Sequence, residues 1–382
     1  MKNRTQPITL IAVGDIMLAR RVGEQIVERG PFFPFQHIAP VLQEGDICFG
    51  NLESPLSQRG TPRQTRDSPV FRGPPEAANG LREAGFAVVS LANNHIFDYG
   101  EAAFRETLKV LKAVGLTPIG AGMNLQAALA PVILEVRGTR LAFLAFCNAN
   151  VATAESPGTA PLESDIVCEA IRQVHSQVDW VVTSFHQGLE YSDYPTSETI
   201  TLAHQMVAAG ADVVLGHHPH VLQGIEQYAG GLIAYSLGNF VFDQHDTDLK
   251  QRALARSAMV RIGKQSINPA DHRMAESVIL QVYLSDGQPP GHSAIPIRIN
   301  DQYQPVLMRE LAAQDLIARL DRLSAPLSDP NALQIRAADA IAFRAKTGKL
   351  WRSPSAILRL RPRHLRSLWR FTMNRIRNKR GR

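Results

Sequence analysis

Five separate segments each end an apolar run on a residue type that ligates metal ions: Asp15 in VGD, Glu53 in GNLE, His95 in NNH, His186 in FHQG and His220 in GHHPH. Imidazole and carboxylate together suit zinc, iron or manganese, and such an ion polarises bonds and acidifies water. His218 and His220 stand two apart, which on an extended strand end puts both imidazoles on one side. Pro219 between them excludes a helix interior, and His217 points the other way, as a structural residue. Asp15 closes a strongly apolar run, where an ionised carboxylate is costly without a cation; capping the next helix is its alternative role. Asn51 and Glu53 repeat the spacing of two. In NNH, the Asn94 amide is a candidate ligand and the adjacent His95 a candidate general acid, given an ordinary imidazole pKa of about 6.5. Asp98 either orients that imidazole or caps the following helix. His186 is a candidate ligand, with Gly188 permitting close approach and Glu190 and Tyr191 extending the loop toward substrate.

Such residues need elements that bring them together. Strand-like runs (ITLIAVGD, DICFGNLE, FAVVSLANNH, RLAFLAFCN, DWVVTSFHQG, ADVVLGHHPH, GLIAYSLGNFVF) alternate with helical stretches such as 102–114 and 199–209. That alternation predicts a layered α/β core. Open α/β sheets place ligands outside the carboxyl ends of their strands, so one shared metal site is expected. Ser57 to Pro75 and Thr153 to Pro161 read as surface loops able to close over a substrate. Beyond Asp243, Ala258 to Ile262 and Val278 to Leu284 alternate like hairpin strands, and Gln302 to Leu320 turns helical. The expected division is a core over 1–310 and a helical extension over 311–382.

The chain has 382 residues and a net charge of +6, but the charge is unevenly placed. From Lys349 to Arg382 there are twelve Lys and Arg and no acid, which leaves 29 basic against 35 acidic residues elsewhere. In that tail Leu365, Leu368, Trp369, Thr372, Met373 and Ile376 recur near helical spacing among arginines. A basic amphipathic helix of this kind suits an anionic membrane surface; a solvated tail is the alternative, and nucleic acid is disfavoured because no nucleic-acid-binding motif accompanies it. Three cysteines, Cys48, Cys147 and Cys168, have no metal or redox spacing and fit a reducing compartment. The apolar part of MKNRTQPITLIAVGD is too short to span a membrane. The expected location is cytoplasmic, peripheral at the inner membrane face if the tail binds lipid.

The order GD, GN, NNH, lone His and H-x-H resembles the calcineurin-like metallophosphoesterase superfamily. GNLESPL, LANNHIFDYG, GHHPHVLQGIE and AYSLGNFVFD resemble its CapA branch, the poly-gamma-glutamate capsule biosynthesis family. The resemblance covers roughly residues 8–245 and implies a four-layer α/β/β/α sandwich with a metal site at its centre. It implies Asp15 and His220 as ligands of a first metal, Asn51 or Glu53 at the bridging position, Asn94, His186 and His218 at a second metal, and His95 as proton donor to the leaving group. It further implies one or two divalent ions (Mn, Fe or Zn), a metal-activated water as nucleophile, and an anionic polymer or phosphoester as substrate. Ser236, Asn239 and Asp243 of the CapA-like segment are expected to face substrate. Two departures deplete the first position: Met17 stands where the superfamily has a histidine, and Asn51 where it has an aspartate. The resemblance therefore leaves three readings: a hydrolase of capsule or envelope polymer, a catalytically weak polymer-binding scaffold, and a nucleic-acid phosphodiesterase.

Overall fold

The computed structural model describes residues 6–64, 69–243 and 272–328. The expected strand over 258–262 and the basic tail lie outside them.

Strand β1 (Ile8–Ile16) is buried along almost its whole length, as a central strand covered on both faces must be. It pairs in parallel with β2 (Ile47–Leu52), followed by β3 (Val88–Ser90) and β4 (Thr117–Ile119). The first helices on this side are α1 (Arg20–Arg29), α2 (Ala39–Leu42), α3 (Ala77–Glu83) and α4 (Gly100–Ala113). Alternate residues of β1 serve different cores. Ile11 and Val13 pack with Ile26, Phe35, Leu81 and Phe104 beneath the helices. Ile8, Leu10 and Ala12 face Phe143, Val182 and Leu215 of a second sheet.

A short α5 (Leu125–Leu129) precedes that second sheet. It contains β6 (Val132–Val136), β7 (Thr139–Cys147), β9 (Trp180–His186), β10 (Val213–His217), β11 (Ile225–Tyr228) and β12 (Gly231–Ala234), in the order β11-β12-β10-β9-β7-β6. Its outer face is covered by α6 (Ser164–His175), which touches β7 and β9, and by α7 (Ser197–Ala208), which touches β10. The layers are therefore helix, sheet, sheet, helix, the four-layer arrangement that the resemblance implies. The 153–161 segment contributes β8 (Gly158–Thr159), paired with β5 (Ala121–Gly122).

The first sheet is completed from later in the chain. β13 (Asn239–Val241) lies parallel to the end of β1, while β14 (Glu276–Leu284), β15 (Gly291–Ile299) and β16 (Pro305–Leu307) extend the sheet antiparallel. The amphipathic helix α8 (Glu310–Ser324) then lays Leu316, Leu320 and Leu323 into the inter-sheet core. The packed body thus continues to Ser328, past the expected boundary at 310, because this helix buries its apolar stripe on the sandwich. All three cysteines are free and buried. Among the described residues no helix is long and apolar enough to cross a membrane.

Candidate metal centre

The site lies where strands of both sheets end. The β1–β2 register shifts between Ala12 and Asp15, and an irregularity of this kind re-aims a side chain. It sets Asp15 opposite both Asn51 and Asn239. The bend brings the main chain very close to its neighbour: a Cβ on Gly14 would come within 1.9 Å of the Gly238 carbonyl oxygen. The second sheet contributes His186 at the end of β9, beside His217 at the end of β10.

His217 ties the sheets together, its ring reaching Ser184 Oγ at 3.2 Å and the Val13 carbonyl at 3.3 Å. The expected extended H-x-H does not form. His218 has φ 98° and His220 φ 60°, so the two rings approach, 6.0 Å between centroids, on a left-handed turn after the strand has ended. Non-glycine residues seldom adopt this backbone, and where they do it marks strain or function.

Glu53 occupies the middle. Its Oε1 is 3.6 Å from His186 Nε2, 3.8 Å from His220 Nε2 and 4.0 Å from His95 Nε2. The residue is completely buried, yet neither carboxyl oxygen has a hydrogen-bond partner. Burial, and then the Asp15 charge, push its pKa well above the carboxylate range. Protonation alone does not resolve the problem, since the acid's O–H would also lack an acceptor. A cation satisfies both oxygens, and in this respect the residues fit a divalent ion. Asp15, Glu53 and His186 form one set of converging ligand atoms, and Glu53, His218 and His220 a second that shares the same glutamate. The Asn94 amide oxygen joins them, 2.8 Å from His186 Nε2, which is 3.1 Å from His218 Nδ1.

The electrostatics distinguish the histidines. Burial holds His186 well below its ordinary value and, with the His220 charge, takes His218 to about 4, so both rings are neutral. His220 moves the other way, to about 10: burial opposes its charge, but Glu53 and Asp15 at its two ring nitrogens outweigh burial. For Asp15, burial acts upward and is outweighed by the hydrogen bond and charge of His220, which hold it below the usual range.

Of the two residues offered for the bridging position, only Glu53 has unengaged oxygens. The Asn93 amide is fixed by the main chain, its Oδ1 accepting the His95 N–H and its Nδ2 donating to the Leu52 carbonyl. Asn93 Nδ2 then faces Asn51 Oδ1 at 3.2 Å, leaving Asn51 Nδ2 to donate to Asp15 Oδ1 at 2.9 Å and to face His186 Nδ1 at 3.2 Å. Asn51 therefore presents a donor to the centre instead of the expected ligand oxygen. Met17 is buried in the helix-side core, its sulfur accepting the Ala19 N–H.

His95 stands beside the ligands, with its Nδ1 2.6 Å from Asp98 Oδ2. Asp98 is no helix cap; its carboxylate also accepts from Arg63 and from the Phe71 N–H, so these two residues are held against the site. The Phe71 ring lies 4.1 Å from that of His95, and the Arg20 guanidinium covers Phe71 at 4.7 Å. Arg20, Arg63 and Phe71 carry no motif and meet His95 only through the tertiary fold. Glu190 is exposed, but its charge is felt at Glu53, His218 and His220. Tyr191 places its ring 6.2 Å from His220.

The three substrate-facing candidates after β12 resolve differently. Ser236 is buried and holds the turn, donating to the Val221 carbonyl and accepting the Gly238 N–H. Asp243 is buried against Arg20 and accepts the Arg21 N–H, so it anchors an arginine instead of meeting substrate directly. Asn239 turns to His220, with 3.0 Å between Oδ1 and Nδ1.

Residues 9–244 match the family model described as bacterial capsule synthesis protein PGA_cap. The chain belongs to the PGA_cap family. Among PGA_cap relatives, the capsule biosynthesis protein CapA of Bacillus anthracis is 38% identical over 66% of this chain and 64% of its own length. The PGA biosynthesis protein CapA of Bacillus subtilis is 34% identical over 68% of this chain and 70% of its own. This PGA_cap chain thus spans just under two thirds of the Bacillus anthracis protein. A structure of a putative 5'-nucleotidase from Staphylococcus aureus aligns with a TM-score of 0.45 at 11% identity, covering 83% of this chain and 58% of that one.

Proposed function

We propose that this protein is a metal-dependent hydrolase acting on an anionic envelope or capsule polymer of the poly-gamma-glutamate kind. The observation that carries the reading is Glu53, a buried carboxyl group with two unpartnered oxygens amid three imidazoles. Asp15, Glu53, Asn94, His186, His218 and His220 are the residues that would hold the ion. A divalent cation supplies bond polarisation and a more acidic water.

The chain's own residues do the remainder. Asp98 accepts the Nδ1 proton of His95, so Nε2 is the nitrogen left to hand a proton to a departing oxygen or nitrogen. Phe71 covers that ring and keeps water from one face. Arg20 and Arg63 lie on the His95 side of the centre, each paired with a carboxylate, Asp243 and Asp98, so they fasten the residues around His95. The Bacillus relatives named for capsule and PGA biosynthesis support the polymer.

A second reading, a polymer-binding scaffold with weak chemistry, is favoured by the inert placement of Met17 and the turned amide of Asn51. Elemental analysis of the purified protein, with His218→Ala and His220→Ala beside it, tests the centre. Assays on phosphoesters and gamma-glutamyl amides, with His95→Ala as control, then separate the two readings. Metal without turnover on either substrate class leaves the scaffold; no metal after reconstitution removes the hydrolase.

A further inference from the structure

Asn239 belongs to a CapA-like segment with no place among the metal-ligand motifs, yet it is fully buried at the centre. Its orientation follows from elementary donor and acceptor chemistry. Asn239 Nδ2 is 3.0 Å from the main-chain oxygen of Met274; a carbonyl oxygen can only accept, so the amide nitrogen must face it. The amide oxygen is thereby turned to His220 Nδ1, which must carry a proton to donate to it. With Nδ1 so engaged, Nε2 is the ring nitrogen directed at Glu53.

Resting on the reading of the cluster as a cation centre, we infer that Asn239 is a positioning residue that fixes the His220 tautomer and ring orientation, so that Nε2 serves the ion and Asp15 is released to serve it too. The release of Asp15 follows from competition for one proton. His220 Nδ1 is 3.0 Å from Asn239 Oδ1 and 3.3 Å from Asp15 Oδ2. Without the amide, Asp15 becomes the sole acceptor in that direction and its oxygen is spent on orienting the ring. Groups that orient a ligating histidine in this way typically contribute roughly 10–100-fold to metal affinity.

The arrangement reaches beyond the residues that match the family. Asn239 is held beside Asp15 by the parallel pairing of β13 with β1, but Met274, which sets its amide, lies past residue 244. The neighbouring Arg273 pairs with Asp193, and Arg319 of α8 pairs with both Asp193 and Glu276. Asp193 sits two residues after Tyr191. The segment around Met274 therefore supports both the His220 ring and the loop that passes over it.

The test compares full-length wild type with Asn239→Ala and Asn239→Asp, using Mn(II) titration and the downfield imidazole N–H resonance of His220, assigned by its loss in His220→Ala. The expected result is that Asn239→Ala weakens Mn(II) binding roughly 10–100-fold and shifts the Nδ1 proton signal, as the proton passes from the amide oxygen to Asp15. Asn239→Asp, which keeps an acceptor, retains both. Unchanged Mn(II) affinity and an unchanged resonance in Asn239→Ala overturn the proposal. Should Asn239→Ala fail to fold, a folded Asn239→Asp protein that loses the resonance overturns it instead. A wild type that binds no Mn(II) removes the cation reading, while the resonance in the metal-free proteins still decides whether Asn239 positions His220.

Discussion

Asp98 holds His95 with 2.6 Å between Oδ2 and Nδ1, and the same carboxylate fastens Arg63 and the Phe71 N–H. Orientation of the proposed proton donor and closure of its aromatic cover thus depend on one side chain. Asp98→Asn is expected to lower any hydrolytic kcat by about 10²–10⁴-fold, the usual contribution of a positioned acid or base, with bound metal unchanged. Asp98→Ala also leaves the buried Phe71 N–H unpaired and should cost about 1–3 kcal/mol in urea denaturation. Equal kcat in Asp98→Asn and wild type would remove His95 from the chemistry.

Glu53, with both carboxyl oxygens buried and unpartnered, is an internal liability in the absence of a cation. Glu53→Met replaces an unpartnered buried carboxyl group by an apolar chain of similar size, so the metal-free protein should gain about 1–3 kcal/mol. The wild type should rise in melting temperature with Mn(II) or Zn(II), as an ion binding only the folded state requires, and the same substitution should abolish that rise. Scanning calorimetry with and without metal reads both effects.

Metal affinity should increase with pH. Without metal, the buried Glu53–His220 pair retains protons, because burial and the Asp15 charge disfavour an ionised Glu53 and the Asp15 carboxylate holds His220 in its charged form against burial. A cation must displace them, so binding is weaker in acid and tightens roughly tenfold per pH unit for each proton released. Calorimetric titration between pH 6 and pH 8, in buffers of different ionisation enthalpy, measures the affinity and the protons directly. A flat profile would exclude both groups as ligands.

Gly14 has no room for a side chain, since its Cβ would lie 1.9 Å from a main-chain oxygen. Gly14→Ala should cost at least about 1–3 kcal/mol through forced displacement and should weaken metal binding, because Asp15 shifts with the backbone. Denaturation and Mn(II) titration on one preparation would show the two losses together.

Helix α8 should behave as core. Leu320→Ala is expected to destabilise the protein by about 2–5 kcal/mol. A loss below about 0.5 kcal/mol, the level of ordinary surface substitutions, would place the helix outside the cooperative unit.

The strand ends were legible because Asp15, Glu53 and His186 each close an apolar run, and the layered class followed from runs alternating with helices. The turn at His218 and His220 was not, since Pro219 is equally at home in extended chain and only the φ angles show otherwise. Ser236, Asn239 and Asp243 lie in one short segment with similar polarity. Which of them reaches the centre depends on the register of β13 against β1, a long-range pairing with no local signature. Asn51 and Glu53 could not be ranked from spacing, because the amide's direction is set by Asn93 and two main-chain groups. That the packed body runs past 310 to Ser328 was hidden for a related reason: the apolar stripe of α8 announces a helix but not the sheet that receives it.

The candidate ligands are drawn from both halves of the sandwich, Asp15 and Glu53 from the first sheet, His186 and the histidines after β10 from the second. An ion held between them would act as a rivet across the inter-sheet core. A copy deprived of it would keep its fold through apolar packing but lose that fastening, so its sheets would part more readily and its chain be exposed to proteases sooner. The lifetime of the protein in a growing cell would then follow the supply of the metal, making abundance, as well as activity, a record of nutrition.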